Sequence, residues 1–263
     1  MRRSILFSVI LLTSVCHTLV GQDTPACDQR LVPILWMQNS GEYKALCYQA
    51  FNIARWRVDA LKKQKKDKRP RAIITDVDET VLDNSYFGAQ LVKDGNLYAF
   101  DLWKKWTDKS EATAIPGALA FLQYASEKGI TIFYVSNRKT SEVSSTVENL
   151  KELHFPNADP SHMLFQDDTS SKEARRNSIL EKYNVIMLIG DNLNDFAKAF
   201  EGQSNDQRSA EVSNTEVQWG KKFIILPNPS YGDWESATFN YQRGLSEQEK
   251  QRMMFESLKG YDR

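Results

Sequence analysis

The fold of this chain is decided by residues 71–85, RAIITDVDETVLDNS. A short apolar run at 72–75 is typical of a buried parallel strand, and ligands of open α/β sheets bind just beyond the carboxyl ends of such strands. Asp76 and Asp78 follow two residues apart, so an extended backbone directs both side chains to one face. Two carboxylates on one face repel unless a cation or a shared proton intervenes. The stretch therefore indicates a metal-assisted carboxylate site, with an acidic helix-capping loop as the alternative.

The length and the net charge of the chain limit the classes of function that it can have. The 263 residues suffice for one large or two small domains, and 34 Lys and Arg residues balance 34 Asp and Glu residues. A zero net charge gives no overall positive field to attract a nucleic acid polymer. The basic run at 62–71 is explained by a solvated helix end and a linker.

The first 21 residues have the architecture of a secretory signal. Arg2 and Arg3 precede an apolar run at 5–12 that is too short to span a bilayer comfortably. We expect residues 1–21 to be removed and residues 22–263 to form one domain in the periplasm or at the cell surface. An uncleaved anchor is the alternative.

The cysteines bear on the same compartment. Cys16 lies in the signal, and Val15 before it is a poor match to the small residue that bacterial lipidation requires, so membrane anchoring has no good site. Cys27 and Cys47 remain in an oxidising compartment, where a disulfide and two separate thiols are both compatible with the sequence. No His and Cys cluster has zinc-site spacing.

Helical and strand patterns alternate along the chain, which predicts an α/β fold with a Rossmann-like, doubly wound parallel sheet. Apolar residues at helical spacing predict one long helix over 32–61. The other predicted elements are strands at 130–135, 185–189 and 223–226, helices at 116–128, 141–153, 170–183, 195–200 and 246–258, and a loop at 202–215.

The core of this fold is expected over residues 70–230, with helical accessory parts at 32–65, 86–113 and 238–260. Aromatic residues concentrate in 86–113 without a clear period. This insertion is either a cap that walls the substrate site or a cluster packed under a long loop. The exposed helices at the two ends are candidates for contacts in a homo-oligomer.

Three predicted strands end in groups suited to a metal or a phosphate, and the carboxyl ends of parallel strands share one edge of the sheet. Asp76, Asp78 and Asp191 offer the oxygen ligands that Mg²⁺ prefers. Neutral donors and one cation suit the phosphate oxygens: the Ser136 hydroxyl, the Asn137 amide and Lys172 at the head of a helix. Together they supply what phosphate-ester cleavage needs.

These motifs resemble the haloacid dehalogenase (HAD) superfamily: DVDET at 76–80, SNR at 136–138, Lys172, and GDNLND at 190–195. The four-aspartate pattern resembles the class C (bacterial non-specific) acid phosphatases, which include exported lipoprotein 5′-nucleotidases. Three further segments resemble that family: WMQNSGEYKALCYQAFN (36–52), IPGALAFL (115–122) and LPNPSYGDW (226–234).

The resemblance implies an Mg²⁺-dependent mechanism through an aspartyl-phosphate. It makes Asp76 the nucleophile and a metal ligand. Asp78 exchanges protons with the leaving group and the hydrolytic water, while its backbone carbonyl contacts the metal. Asp191 is a metal ligand, and Asp195 either binds the metal through water or orients the lysine.

The resemblance also implies the groups that bind the substrate. Four side chains surround the phosphate: Thr80, Ser136, Asn137 and Lys172. Trp103 and Tyr231 match positions that sandwich the base of a nucleotide, and Tyr86 lines the same pocket, whereas Trp106 is expected to be structural. The expected substrate is a small phosphomonoester such as a nucleoside 5′-monophosphate.

Two other functions remain open. One is a broad acid phosphatase whose aromatic pocket is only a hydrophobic wall. The other is a non-catalytic relative, because the chain also resembles plant vegetative storage proteins. Such relatives lose the nucleophile, whereas this chain retains Asp76.

Overall fold

The apolar run before the acidic stretch forms the central strand of a five-stranded parallel sheet. The structure is a computed structural model that describes residues 28–61 and 67–261. The sheet strands are β1 (Arg71–Thr75), β4 (Thr131–Lys139), β5 (Met163–Gln166), β6 (Asn184–Gly190) and β7 (Phe223–Ile225), in the spatial order β5-β4-β1-β6-β7. The predicted doubly wound sheet is confirmed. The predicted signal peptide, with Cys16, and also Cys27 lie outside the described residues.

Apolar side chains leave β1 on both faces of the sheet, and each face has its own core. Ile73 joins a cluster with helices on one side, while Ala72 and Ile74 join a second cluster on the other. The alternation follows from the two-residue period of a strand. Because both faces are covered, the carboxyl edge of the sheet is the place where polar loops can gather.

Helices cover these faces and build the accessory parts. They are α1 (Leu31–Asn39), α2 (Gly41–Leu61), α3 (Ser85–Asp94), α4 (Phe100–Thr107), α5 (Ala118–Glu127), α6 (Val143–Glu152), α7 (Glu173–Leu180), α8 (Asn205–Asn214), α9 (Asp233–Thr238) and α10 (Glu247–Ser257). In the described part of the chain, no helix is both long and apolar enough to cross a membrane.

The prediction of a single helix over 32–61 is wrong, because the helix is interrupted at Ser40. Ser40 has extended backbone angles, and its hydroxyl accepts a hydrogen bond from the Tyr43 backbone N–H at 3.1 Å. A serine in this position satisfies one of the free N–H groups of the following helix. Cys47 on α2 is a buried free thiol.

The other element boundaries were wrong mainly in polar segments. The loop predicted at 202–215 contains α8, whose start is fixed by a reciprocal cap between Ser204 and Gln207. The helix predicted at 195–200 is two short 3₁₀ turns, Leu193–Asp195 and Lys198–Phe200. The edge strand β5 was not predicted.

The predicted second strand was too short at its carboxyl end. It continues past Val135 to Lys139, and after a register shift Lys139 pairs with Gln166 of β5. Ser136 and Arg138 are therefore buried on one face of a strand, while Asn137 between them is exposed.

The aromatic insertion consists of α3 and α4 and is closed at its base by a two-stranded ribbon, β2 (Leu82–Asp83) with β3 (Thr113–Ala114). Its carboxyl-terminal part is bonded to α6 and to the turn that precedes α6. The Asn149 side chain exchanges two hydrogen bonds with the Ala112 backbone, and the Thr107 hydroxyl donates to Glu142 at 3.1 Å. The insertion is thus fixed beside the carboxyl edge of the sheet.

Candidate active site

The acidic loop after β1 is joined directly to β6. The Asp76 backbone N–H donates to the Ile189 carbonyl at 2.9 Å, which continues the β1–β6 pairing by one residue beyond the strand. Asp191 follows β6 immediately. The structure therefore brings the predicted ends of the first and third strands together.

Three carboxylates meet at this edge. Asp76, Asp191 and Asp195 each offer one oxygen, and these oxygens lie within 4.8 Å of one another. Asp195 is positioned by the 3₁₀ turn that follows β6, where its Oδ2 accepts from the Asn192 backbone N–H at 3.0 Å. Two of the three therefore come from one short loop.

Gly190 makes room for this loop. A Cβ atom at Gly190 would lie 2.3 Å from Asp195 Oδ2 and 2.6 Å from its carboxyl carbon. Those distances are far inside van der Waals contact. The first residue of GDNLND is therefore required by the close approach of Asp195 to the backbone.

Lys172 compensates part of this negative charge. It lies at the N-terminal end of α7, as predicted, and its Nζ is 2.6 Å from Oδ1 of both Asp76 and Asp195. Burial alone would lower the pKa of Lys172, but the two carboxylates outweigh burial and raise it to about 12. Lys172 is therefore a permanent cation in this site.

Burial dominates the acidity of the carboxylates. Burial raises the pKa of Asp76 well above its usual value against the opposing charge of Lys172, and the other three aspartates raise it further. Burial, followed by the charge of Asp195, raises the pKa of Asp191 to about 7. One lysine does not balance the cluster, so the arrangement favours an additional cation.

The residues fit a hard divalent ion. Asp76 Oδ1 is buried and has no hydrogen bond, because Lys172 approaches it closely but outside hydrogen-bond geometry. The contact between Lys172 and Asp76 is an ion pair. An oxygen with a lone pair still open, beside two more carboxylates, matches the all-oxygen coordination of Mg²⁺. The acidic cluster is thus a candidate metal site.

Asp78 faces a different partner. Its Oδ1 accepts from Arg138 Nη2 at 2.8 Å and Nε at 3.0 Å, and from Asn84 Nδ2 at 2.9 Å. Its side chain is not part of the carboxylate cluster found among the described residues. The two aspartates of the motif therefore occupy different environments. Neither Arg138 nor Asn84 was predicted as a site residue.

The predicted phosphate-binding side chains line the same edge. Thr80 is buried and donates to Asp191 Oδ1 at 3.1 Å. Ser136 is also buried, and its hydroxyl lies 3.4 Å from Asp78 Oδ2. Asn137 is exposed, and its Oδ1 accepts from Arg175 at 2.7 Å, which leaves the amide N–H groups available to an anion.

Arg175 is a further residue that sequence reasoning missed. Its guanidinium also donates to the Ser136 carbonyl at 2.6 Å, so it holds two consecutive residues at the end of β4. Arg175 lies on α7 three positions after Lys172, and residues at this spacing share a helix face. That spacing was the available signal.

The predicted substrate-binding aromatics lie around this edge on separate elements. Trp103 on α4 packs edge-on against Phe87, with ring centres 5.2 Å apart. Tyr86 on α3 is 54% exposed, and Tyr231 in the loop before α9 is 44% exposed. Tyr86 and Tyr231 are therefore partly accessible to solvent.

Glu79 connects the aromatic loop to the acidic loop. It is buried, has a left-handed backbone (φ 52°), and accepts from the Tyr231 hydroxyl through Oε2 and from the Asn84 backbone N–H through Oε1. Burial, together with the charges of Asp78 and Asp191, raises its pKa well above the usual range. No sequence signal had distinguished Glu79 from its neighbours.

The loop that carries Tyr231 also reaches the carboxylate cluster. Asn228 Nδ2 donates to Asp191 Oδ2 at 2.9 Å, and Asn228 Oδ1 accepts from the Ser230 backbone N–H at 2.9 Å. The segment LPNPSYGDW therefore lies beside both halves of the site.

Comparison with known protein families identifies this constellation. Residues 12–234 match the family described as HAD superfamily, subfamily IIIB (Acid phosphatase). The chain belongs to this acid phosphatase family. It is accordingly a phosphoric monoester hydrolase with the HAD fold, as the sequence motifs predicted.

Solved structures support the assignment of this acid phosphatase. The class C acid phosphatase of Bacillus anthracis is 42% identical, with a TM-score of 0.85, over 89% of this chain and 98% of that chain. The same enzyme with tungstate bound gives the same figures. Among curated proteins, the class B acid phosphatase of Aggregatibacter actinomycetemcomitans is 27% identical over 66% of this chain and 80% of its own length.

A plant relative also matches the phosphatase chain. The stem 31 kDa glycoprotein of Glycine max is 27% identical over 59% of this chain and 57% of its own length. The family assignment makes an acid phosphatase the function of this chain, rather than the non-catalytic alternative.

Proposed function

We propose that this acid phosphatase uses Mg²⁺ to hydrolyse nucleoside 5′-monophosphates through a phosphoryl intermediate on Asp76. The observation that carries the proposal is the cluster of Asp76, Asp191 and Asp195, in which Asp76 Oδ1 is buried without a hydrogen bond. A bound cation would use that oxygen and leave the other oxygen of Asp76 to attack phosphorus.

In the first step, the free oxygen of Asp76 forms a bond to phosphorus while the bond from phosphorus to the leaving oxygen breaks. Asp78 gives its proton to that leaving oxygen. In the second step, a water attacks the same phosphorus, Asp78 takes back a proton, and the bond to Asp76 breaks. Inorganic phosphate leaves, and both aspartates return to their starting states.

Asp76 and Asp191 would hold Mg²⁺ directly, together with the backbone carbonyl of Asp78. When bound, the ion supplies positive charge that reduces repulsion between the phosphate and the attacking carboxylate. Asp195 keeps Lys172 in place, since the two are in contact at 2.6 Å, or binds the ion through water. Thr80, Ser136, Asn137 and Lys172 are proposed to hold the phosphate oxygens.

The nucleotide preference is proposed from the aromatic side chains. Trp103 and Tyr231 would stack on the base, and Tyr86 would line the pocket beside them. A base stacked on an aromatic ring is stabilised by about 1–3 kcal/mol. In the alternative, a broad acid phosphatase, these rings form a hydrophobic wall without selectivity.

The signal-like pattern in residues 1–21 is the basis for proposing export to the periplasm or the cell surface. A homo-oligomer formed through the terminal helices also remains a prediction.

The test is a substrate screen with Asp76→Asn as the blank. Purified enzyme is assayed with AMP, glycerol 2-phosphate and p-nitrophenyl phosphate, with Mg²⁺ and with EDTA, across pH. Quenched reactions are analysed by mass spectrometry for a phosphoryl group on the peptide that contains Asp76. A Mg²⁺-dependent preference for AMP and a labelled Asp76 are expected. Equal turnover of AMP and glycerol 2-phosphate would instead establish the broad phosphatase.

A further inference from the structure

The two oxygens of Asp78 are bound unequally. Oδ1 accepts three N–H groups, from Arg138 Nη2 and Nε and from Asn84 Nδ2, at 2.8 to 3.0 Å. Oδ2 has longer contacts, at 3.3 Å to Arg138 Nε and 3.4 Å to the Ser136 hydroxyl. A carboxylate held mainly through one oxygen in this way has a single orientation, and its other, more weakly bound oxygen can meet a substrate.

Both groups that bind Oδ1 are themselves held by helix α4. The Trp106 indole N–H donates to Asn84 Oδ1 at 2.8 Å, and the Arg138 guanidinium carbon lies 5.4 Å from the centre of the Trp103 ring. The two tryptophans are three residues apart and so share one helix face. On the opposite side, Arg138 Nη1 donates to the Thr146 hydroxyl at 2.9 Å.

The contact with Trp106 determines which way the Asn84 amide faces. An amide presents an acceptor on one side and donors on the other, whereas an indole N–H is a donor only. The Asn84 oxygen must therefore face Trp106, and its N–H groups must face Asp78. Trp106 thus acts on Asp78 without touching it.

We propose that Arg138, Asn84 and Trp106 are positioning residues that hold Asp78 by Oδ1 and direct Oδ2 toward the leaving oxygen of the substrate. The aromatic insertion then has a second task besides binding a base, because it aligns the carboxylate that exchanges the proton. This inference rests on the proposed function of Asp78. Trp106, which was expected from the sequence to be structural, thereby becomes a residue that positions Asp78 for the reaction.

Proton donation matters most for a poor leaving group. An alkoxide needs a proton as the bond to phosphorus breaks, whereas p-nitrophenolate is stable without one. A misaligned Asp78 therefore slows ethyl phosphate much more than p-nitrophenyl phosphate. Loss of general structure or of metal affinity slows both esters equally, since the first step on Asp76 is common to them.

The experiment compares Trp106→Phe with Trp219→Phe in the full enzyme. Trp219 is the matched control, because its indole N–H also donates to an oxygen, the Val212 carbonyl at 3.1 Å, in the other hydrophobic core. We measure kcat/KM for ethyl phosphate and p-nitrophenyl phosphate with saturating Mg²⁺. Trp106→Phe should lower the ethyl-to-nitrophenyl ratio about tenfold, and Trp219→Phe should leave the ratio unchanged.

Arg138→Lys is the second variant. It keeps the positive charge but not the forked guanidinium, so the same ratio should fall by about 10- to 100-fold. Melting temperatures and Mg²⁺ affinity from calorimetry show whether each variant folds and retains the metal.

A folded Trp106→Phe enzyme with the wild-type ratio would overturn the role of Trp106. Equal losses for both esters in both variants would overturn the whole proposal. In either case an active wild type and an inactive Asp76→Asn enzyme leave the proposed function standing. A wild type without phosphatase activity would instead remove the proposed function and this inference together.

Discussion

The carboxylate cluster (Asp76, Asp191 and Asp195, with Lys172) and the aromatic wall (Tyr86, Trp103 and Tyr231) are built in opposite ways. In the cluster, the side chains of Asp195 and Lys172 are each 5% exposed and that of Asp76 is 11% exposed. In the wall, Tyr86 and Tyr231 are about half exposed. The cluster follows strands of the sheet, whereas the wall is assembled from two helices and a loop.

This difference separates the chemistry from the selection of the substrate. Charges in a buried cluster interact strongly, so its geometry has to be fixed by the backbone and its total charge has to be balanced. Exposed aromatic rings contribute to ligand binding through their surface area, and substituting them has little effect on the free energy of unfolding. We therefore expect substitutions in the cluster to abolish activity and substitutions in the wall to change mainly the preference among substrates.

The largest effect is expected for Asp76→Asn. The amide keeps the shape of the carboxylate but cannot attack phosphorus, so kcat should fall by at least about 10⁴-fold. Circular dichroism should show an unchanged fold. Asp206→Asn, at a side chain that is 93% exposed, is the control and should keep wild-type activity. Substantial turnover by Asp76→Asn would exclude Asp76 as the nucleophile.

Metal removal should have the next largest effect, and it should depend on pH in a defined direction. The folded pKa of Asp191 is about 7, above its ordinary value of 3.8. Between these values the folded state holds a proton that the unfolded state has released. Without metal, stability is therefore highest at low pH and falls as pH rises toward 7.

Mg²⁺ should reverse that loss, because it binds the ionised cluster. With EDTA, activity should fall by at least about 100-fold. The melting temperature of the metal-free enzyme should be lower at about pH 7.5 than at about pH 5. Added Mg²⁺ should raise the melting temperature by several degrees at the higher pH and by less at the lower pH. Activity that survives chelation, or a melting temperature independent of metal, would contradict the metal site.

The meeting of Asp76 and Asp191 at one edge of the sheet could be predicted from sequence because its signals are local. Apolar runs end at Asp76 and Asp191, and parallel strands place their carboxyl ends on one edge. Arg138 is one of the buried residues of the site that were not predicted. Its role follows from two-residue alternation with Ser136, and the strand had been predicted to stop at Val135, so the alternation was not applied to it.

The remaining contacts were not predictable because they join distant segments. The Tyr231 hydroxyl donates to Glu79 across 152 positions, and Trp106 donates to Asn84 across 22. No sequence pattern around Tyr231 or Trp106 indicates which distant residue its side chain contacts. The helix over 205–214 was missed for another reason, since it is polar and its only local signal was the Ser204 cap.

A substitution in the wall should change selection without ending catalysis. Trp103→Ala removes the ring proposed to stack on the base, so KM for AMP should rise by about 10- to 100-fold. KM for glycerol 2-phosphate should stay within about threefold of the wild-type value. If Arg138 loses the support of the Trp103 ring, kcat should fall for both substrates together. Trp56→Ala, at a ring that is 68% exposed on α2, is the control. Equal rises of KM would show that Trp103 has only a packing role.

The smallest effect is expected for Tyr231→Phe, which tests how the wall is attached to the cluster. The variant keeps the ring but removes the hydroxyl that donates to buried Glu79, so the ring is free to shift while it still stacks. KM for AMP should rise by about two- to fivefold, in line with one lost hydrogen bond of about 1 kcal/mol. Tyr134→Phe loses a comparable bond, to the Pro156 carbonyl at 2.7 Å, inside the core and should lower the melting temperature without changing KM. If Tyr231→Phe behaves like Tyr134→Phe, the hydrogen bond from Tyr231 to Glu79 stabilises the fold alone. The carboxylate cluster and the aromatic wall then act independently even where this bond joins them.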